Sequence, residues 1–273
     1  MSGTPKELLA RHGLRPKKSW GQNFLGDEHA LSLIARAVAP AAGEVVLELG
    51  PGLGHLTRAL LGAGAQVVAV ERDRDMVRVL EGQALPGLRV VAADAARIDF
   101  AATSGVPRVA VVGNLPYHLT SPILFEVLDQ HAEVSRAVFT VQREVATRLA
   151  AEPGGRDYGL LSVLLGLFFK VETMATLPAA LFHPPPQVDS AVIRLTALPA
   201  PRAQVHSAER FKRLVKAGFG QRRKTLQNAL KADPTLGSPE KVLAALQAAG
   251  VEPQRRAETL SVEEFAAIER ALD

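Results

Sequence analysis

Along the first two thirds of the chain, short runs of β-branched and apolar residues alternate with stretches whose apolar positions recur every three or four residues. The strand-like runs are Glu44–Leu49, Gln66–Val70, Leu88–Ala92, Arg108–Val112 and Ala137–Val141. Their nearly continuous apolar character is that of strands covered on both faces, which predicts an α/β fold with a mostly parallel sheet between helices. Asp27 offers an N-cap to a helix through about Val38, whereas Lys6 to Leu25 is basic and poorly periodic. The pattern breaks at Phe182-His183-Pro184-Pro185-Pro186-Gln187-Val188-Asp189-Ser190, where three prolines exclude regular structure, and Ala191–Leu195 then reads as a closing strand. Past a proline-rich linker, Ala197–Pro201, the remaining patterns are all helical: Ala208–Ala217, Arg223–Lys231, Pro239–Ala248 with Ser238 as N-cap, and Val262–Leu272 with a Ser261/Glu264 capping box. The expected organisation is an α/β domain over 1–200, its first 26 residues a basic arm, and a helical domain over 201–273.

Composition narrows the chemistry. A chain of 273 residues, 47% of them hydrophobic, can build one sizeable core and a smaller appended domain. No apolar run reaches the roughly 18 residues of a membrane-spanning helix, and the charged N-terminus lacks the apolar stretch of a signal peptide, so a cytoplasmic protein is expected. The absence of cysteine excludes disulfides, thiolate metal sites and cysteine nucleophiles. No His or carboxylate cluster has metal-ligand spacing, and no metal is expected. The formal charge is only +4, yet residues 202–256 hold 12 basic against 4 acidic side chains. Such a block suits a polyanion, although a solvated helical surface explains charge alone equally well.

Candidate chemistry gathers at the ends of the strand-like runs. Glu48-Leu49 leads directly into Gly50-Pro51-Gly52-Leu53-Gly54, a turn whose glycines allow close approach of a ligand. Its G-x-G-x-G spacing differs from the G-x-G-x-x-G of dinucleotide sites. The second strand ends at Glu71, where a carboxylate can accept both hydroxyls of a ribose, and the third at Asp94, which can accept from an adenine amine. Taken singly these acids read as helix caps. Together with the glycine turn they predict S-adenosylmethionine in the crevice, with Glu48 supporting the loop from behind.

The fourth strand delivers Asn114-Leu115-Pro116-Tyr117. An aromatic amine is a poor nucleophile because its lone pair is delocalised into the ring. The Asn114 side-chain oxygen and the Leu115 carbonyl, each accepting one amine hydrogen, localise that pair. Pro116 keeps Leu115 out of helical geometry, so its carbonyl can face the site, and Tyr117 can stack on the base. Without cysteine, the covalent route to carbon-5 of a pyrimidine is closed, which leaves direct transfer to nitrogen or oxygen. His55, His118 and His183 lie inside these motifs but are not needed as bases, because a methylated amine sheds its proton after the bond forms. Trp20, the only tryptophan, is read as a packing residue.

In these motifs, together with Gln22-Asn23-Phe24-Leu25, the chain resembles the KsgA/RsmA family of ribosomal RNA adenine dimethyltransferases over nearly its whole length. The resemblance implies a Rossmann-like class I methyltransferase, with seven mostly parallel strands, an antiparallel closing strand and an all-helical C-terminal domain. It implies that Asn23 and Leu25 close over the cofactor, that Gly50, Gly52, Glu71 and Asp94 bind it, and that Asn114 sits where cofactor and target meet. Phe182 becomes the second wall of a base sandwich opposite Tyr117. The implied substrate is a pair of adjacent adenosines near the 3′ end of small-subunit ribosomal RNA, within the immature small subunit, and a monomer is expected. Phosphate contacts are expected from Lys17 and Lys18 of the arm, Arg143 and Arg148, and a cluster of Lys212, Arg213, Lys216, Arg222, Arg223 and Lys224 around a helix corner broken at Gly218-Phe219-Gly220. Antibiotic-resistance methyltransferases of large-subunit RNA share the Asn-x-Pro-aromatic element but typically carry a G-S-G-K-G loop. Such a large-subunit RNA methyltransferase, a DNA adenine methyltransferase and a non-catalytic assembly factor on the same scaffold are the alternatives.

Overall fold

The N-terminal segment is more ordered than its weak periodicity predicts. In a computed structural model describing residues 3–221 and 223–272, Thr4 and Glu7 form a reciprocal capping box that starts α1 (Pro5–Arg11). Phe24–Leu25 forms the short β1, and Asp27 caps α2 (Glu28–Val38) through the Ala30 N–H. The chain then alternates through β2 (Val45–Leu49), α3 (His55–Gly62), β3 (Gln66–Glu71), α4 (Arg74–Glu81), β4 (Leu88–Ala92), α5 (Phe100–Ser104), β5 (Val109–Asn114), α6 (Thr120–Asp129) and β6 (Val134–Gln142). After α7 (Arg143–Leu149) and α8 (Leu160–Phe168) come β7 (Phe169–Leu177), β8 (Phe182–His183) and β9 (Ser190–Ala197). The remaining helices are α9 (Ala208–Gly220), α10 (Leu226–Lys231), α11 (Pro239–Ala248) and α12 (Val262–Ala271).

Seven strands form one sheet in the order β4-β3-β2-β5-β6-β9-β7. Neighbours from β4 to β6 are parallel, and β9 runs antiparallel to β6 from Arg136↔Thr196 to Gln142↔Ser190. Chain order reverses between β2 and β5, so the crevice at the carboxyl ends of those strands is the place where an open α/β sheet binds ligands. The sheet is covered by apolar side chains that include Val46, Val67, Ala69, Ala110, Val112 and Val138, packed with Ile34 and Val38 of α2 and Leu56 and Leu60 of α3. A separate two-stranded ribbon pairs β1 with β8, Phe24↔His183 and Leu25↔Phe182, and so joins the N-terminal arm to the proline-rich segment.

Two compact units are resolved, Met1–Ala146 with Glu172–Ala197, and Thr147–Val171 with Leu198–Asp273. The expected division at residue 200 misses the excursion through α8. Its sequence, Leu-Leu-Ser-Val-Leu-Leu-Gly-Leu-Phe, is apolar on every side, as suits a helix buried in a helical unit. Inside that unit a Cβ on Gly166 would lie 3.2 Å from Val262, and Arg202 returns its N–H to the Leu167 carbonyl at 2.8 Å. The expected break at Gly218-Phe219-Gly220 is absent, since α9 continues through all three. Gly218 is instead where the helix closes on Ala257, Phe265 and Leu226, and Phe219 stacks on Phe265 at 6.0 Å between centroids.

Candidate active site

The turn after β2 is shaped by three left-handed glycines. Gly50, Gly52 and Gly54 have φ of +68°, +55° and +81°, which residues with a Cβ rarely adopt. Gly50 N–H donates to the Val70 carbonyl (2.9 Å), tying the turn to β3, and Gly54 is the N-cap of α3. A Cβ on Gly52 would sit 2.9 Å from the Phe24 ring, so this glycine also makes room for the arm.

Glu71 closes β3 with a nearly buried side chain. Its Oε2 accepts the Gly52 N–H (3.1 Å) and its Oε1 the Asp73 N–H (2.8 Å). Burial raises its pKa, and those two N–H groups counter the rise. Each oxygen keeps a second lone pair, so the carboxylate can still accept two hydroxyls. Glu48, one strand over, is fully enclosed. Its pKa is pushed up to about 8 by desolvation first, against the lowering effect of the Thr57 hydroxyl that donates to its Oε2 (2.6 Å), with the Glu71 charge adding to the rise. Near neutral pH Glu48 is therefore mostly uncharged. Asp94 lies two residues past the end of β4 rather than on it, where Oδ1 accepts the Ala96 N–H (3.2 Å) and Oδ2 faces Arg72 (3.4 Å). It caps a turn and lines the cavity at once.

Asn114 is the last residue of β5, and its Nδ2 donates to the Asn23 carbonyl at 3.0 Å. That bond fixes which way the carboxamide points, since the reverse orientation would set two oxygens against each other. Close packing beneath it is enforced at Gly113, where a Cβ would come within 2.6 Å of the Leu49 carbonyl. Pro116 precedes a 3-10 turn, Tyr117–Leu119, and Leu115 is buried. The Tyr117 hydroxyl meets Ser190 Oγ at 2.8 Å. Leu25 and Phe182, opposite each other in the β1–β8 ribbon, belong to the core cluster and also face the cavity. Phe182 is thus part of the core and of the cavity wall together.

One cavity accordingly brings together Asn23, Leu25, Gly50, Gly52, Glu71, Asp94, Asn114, Leu115, Pro116, Tyr117 and Phe182. Trp20 lines its mouth, with Lys17 Nζ 5.3 Å and Arg72 Cζ 5.1 Å from the ring centre. His55 is not poised as a base, because burial lowers its pKa and its Nε2 lies 3.0 Å from the Gly3 carbonyl. Glycine-made space, a buried acceptor carboxylate and a second acid toward the next strand are a donor and acceptor set that fits S-adenosylmethionine.

The expected phosphate contacts are divided. Lys17 is turned inward to Asp73 (2.6 Å) and Asp75 (2.7 Å), and Arg143 faces Asp189 at 3.5 Å. Lys18, Arg213, Lys216, Arg223 and Lys224 are exposed, Lys212 is half-buried, and the Arg148 carbonyl accepts from the Ser162 hydroxyl. Arg222 lies outside the described residues. The sequence reading missed Gln22, Asp73 and Ser190 as parts of the site. Asp73 has a detectable signal, an N-cap acid two residues after Glu71, and Ser190 ends the proline-rich motif. No helix among the described residues is long and apolar enough to cross a membrane.

A family model described as ribosomal RNA adenine dimethylase matches residues 13–273. The chain is 66% identical to the ribosomal RNA small subunit methyltransferase A of Myxococcus xanthus (strain DK1622), over 98% of this chain and 95% of that one. It is 42% identical to the protein of the same name from Moorella thermoacetica, over 99% and 97%. Among solved structures it superposes on the 23S rRNA methyltransferase ErmE with a TM-score of 0.69 and 29% identity, covering 92% of this chain and all of that one. A dimethyladenosine transferase from Plasmodium falciparum, at 24% identity and a TM-score of 0.75 over 90% of this chain and 95% of that one, shares the fold. The fold is that of the Rossmann-like methyltransferases, and the chain belongs to the ribosomal RNA adenine dimethylase family.

Proposed function

We propose that this protein, a cytoplasmic monomer, dimethylates the N6 amines of two adjacent adenosines near the 3′ end of small-subunit (16S) ribosomal RNA during assembly of the immature small subunit. The observation that carries the reading is the Asn114 carboxamide. Its nitrogen is held by the Asn23 carbonyl at 3.0 Å, which leaves its oxygen as an acceptor in the cavity. S-adenosylmethionine, when bound, supplies an electrophilic methyl on sulfur and retains the electron pair of the broken carbon–sulfur bond. Gly50, Gly52, Glu71 and Asp94 hold that cofactor, with Asn23 and Leu25 over it from the arm. In the first transfer Asn114 Oδ1 and the Leu115 carbonyl accept the two amine hydrogens, and in the second one of them accepts the single hydrogen that remains, which turns the nitrogen lone pair away from the ring each time. Tyr117, fixed by Ser190, and Phe182 flank the base. Once the nitrogen has formed its new bond its proton is strongly acidic and passes to water, so no side chain need serve as a base. The exposed cations Lys18, Arg213, Lys216, Arg223 and Lys224 contact RNA phosphates, with Lys212, Arg222, Arg143 and Arg148 as further contributors.

The test is transfer of labelled methyl groups to immature small subunits, large-subunit RNA and duplex DNA in parallel, with the modified adenines mapped. Label in two adjacent small-subunit adenosines is expected, and an unmodified small subunit would overturn the reading. Asn114→Ala should lower turnover by about a hundredfold or more, the scale of losing one preorganised transition-state contact. Cofactor affinity should change only a few fold, because Glu71 and the glycine turn are intact.

A further inference from the structure

Lys17 and Gln22 meet a carboxylate that water does not reach. Asp73 is 1% exposed. Its Oδ1 accepts from Lys17 Nζ (2.6 Å) and the Asp75 N–H (3.0 Å), and its Oδ2 from Gln22 Nε2 (2.8 Å). Lys17 Nζ also reaches Asp75 Oδ2 at 2.7 Å, and the Lys17 N–H donates to Gln22 Oε1 at 2.9 Å, closing residues 17–22 into a ring around Trp20. An exposed ion pair contributes little to order, but a buried carboxylate stripped of its donors is heavily penalised. If the arm lifts, Asp73 loses its ammonium and its amide donor together.

The same aspartate reaches the site, since its N–H donates to Glu71 Oε1 at 2.8 Å. Asp94 is reached by a second route, in which Trp20 lies against Arg72 and Arg72 faces Asp94 at 3.4 Å. The far end of the arm has its own anchor in the β1–β8 ribbon. We infer that Lys17 and Gln22 are positioning residues, which lock the N-terminal arm to Asp73 so that it retains the cofactor on Glu71, and that Lys17 is not a phosphate contact. The inference rests on the cofactor assignment above and extends it to residues outside the binding set.

The experiment compares wild type with Lys17→Met, Gln22→Ala and Lys17→Arg. Three quantities are read: amide hydrogen exchange of residues 14–23 in cofactor-free protein, the dissociation rate of S-adenosylhomocysteine, and the salt dependence of binding to a 3′ small-subunit rRNA fragment. Lys17→Met and Gln22→Ala should each raise exchange and dissociation by about tenfold, equivalent to 1.4 kcal/mol. The log–log salt slope should stay unchanged, and Lys17→Arg should recover most of both effects, because a guanidinium can bridge two carboxylates. Unaltered exchange and dissociation in Lys17→Met overturn the inference, as does a slope lower by about one with the other two unaltered, the signature of a phosphate contact. Should Lys17→Met misfold, Asp75→Asn removes one partner at a more exposed position, and unaltered exchange and dissociation there overturn it equally. Failure of S-adenosylhomocysteine to bind wild type would instead overturn the cofactor assignment, while hydrogen exchange still reports on the lock.

Discussion

At the residue scale the site works through groups whose neighbours decide what they can do. Glu48 is the clearest case. Its pKa, near 4.5 when exposed, is pushed up to about 8 in the folded chain. Unfolded chains therefore release this proton from about pH 4.5 while the native state keeps it until about pH 8. The stability associated with the neutral form is full below pH 4.5, declines as pH rises through that window, and levels off above it. Glu48→Gln removes the dependence, so urea unfolding of variant and wild type should show the variant gaining relative stability from pH 5 to 8 and no further change above. A constant difference across that range would mean that Glu48 is ionised in the native state. Glu48, Glu71 and Asn114 were legible in the sequence because each is the last or next-to-last residue of a strand. Ser190 and Gln22 were not, because each acts through a partner distant in the chain, Tyr117 at 2.8 Å and Asp73 at 2.8 Å.

At the scale of elements, legibility followed burial. The parallel strands β2, β3, β5 and β6 are mostly buried, and their positions, with that of the less buried edge strand β4, were read correctly to within a few residues. β7, at the edge of the sheet opposite β4, was not read as a strand: it follows the apolar α8 without a break, and its weak alternation mixes Thr173 and Ala175 into one face and Met174 into the other. The two-residue strands β1 and β8 are too short to carry a period. Helix starts fared well, as the Ser261/Glu264 capping box and the Ser238 and Asp27 caps are all present. The least visible stabiliser was Glu269, a fully buried acid on α12. It accepts from the N–H groups of His206 (2.8 Å) and Ser207 (3.1 Å) and from Arg210 Nε (2.8 Å), so it fastens the start of α9. Glu269→Ala leaves these donors without their acceptor and should destabilise the helical unit by about 3 kcal/mol. Chemical unfolding followed by tyrosine and helix signals would reveal it, and a loss under 1 kcal/mol would show that water replaces the carboxylate.

At the scale of the whole molecule, the chain is nearly neutral in its first 201 residues, with 19 basic and 19 acidic side chains, and concentrates its excess positive charge between 202 and 256. α9 sorts that charge by face. Phe211, Leu214, Val215 and Gly218 are buried, while Arg213 and Lys216 are exposed, and Arg223 and Lys224 follow in the turn before α10. This is an amphipathic helix whose polar face is largely basic, so an anion can meet that face without disturbing the packing beneath. Each cation that replaces a condensed counterion on a phosphate contributes about one unit to the slope of log affinity against log salt. Arg213→Ala and Lys224→Ala should each lower that slope by about one on an rRNA fragment, and together by about two, with melting temperature and cofactor affinity unchanged. Equal affinity losses at every salt concentration would indicate a local distortion rather than a lost phosphate contact. An unchanged slope in the double variant would assign the basic face to solvent, and would place the proposed RNA contacts in the unit that contains the sheet.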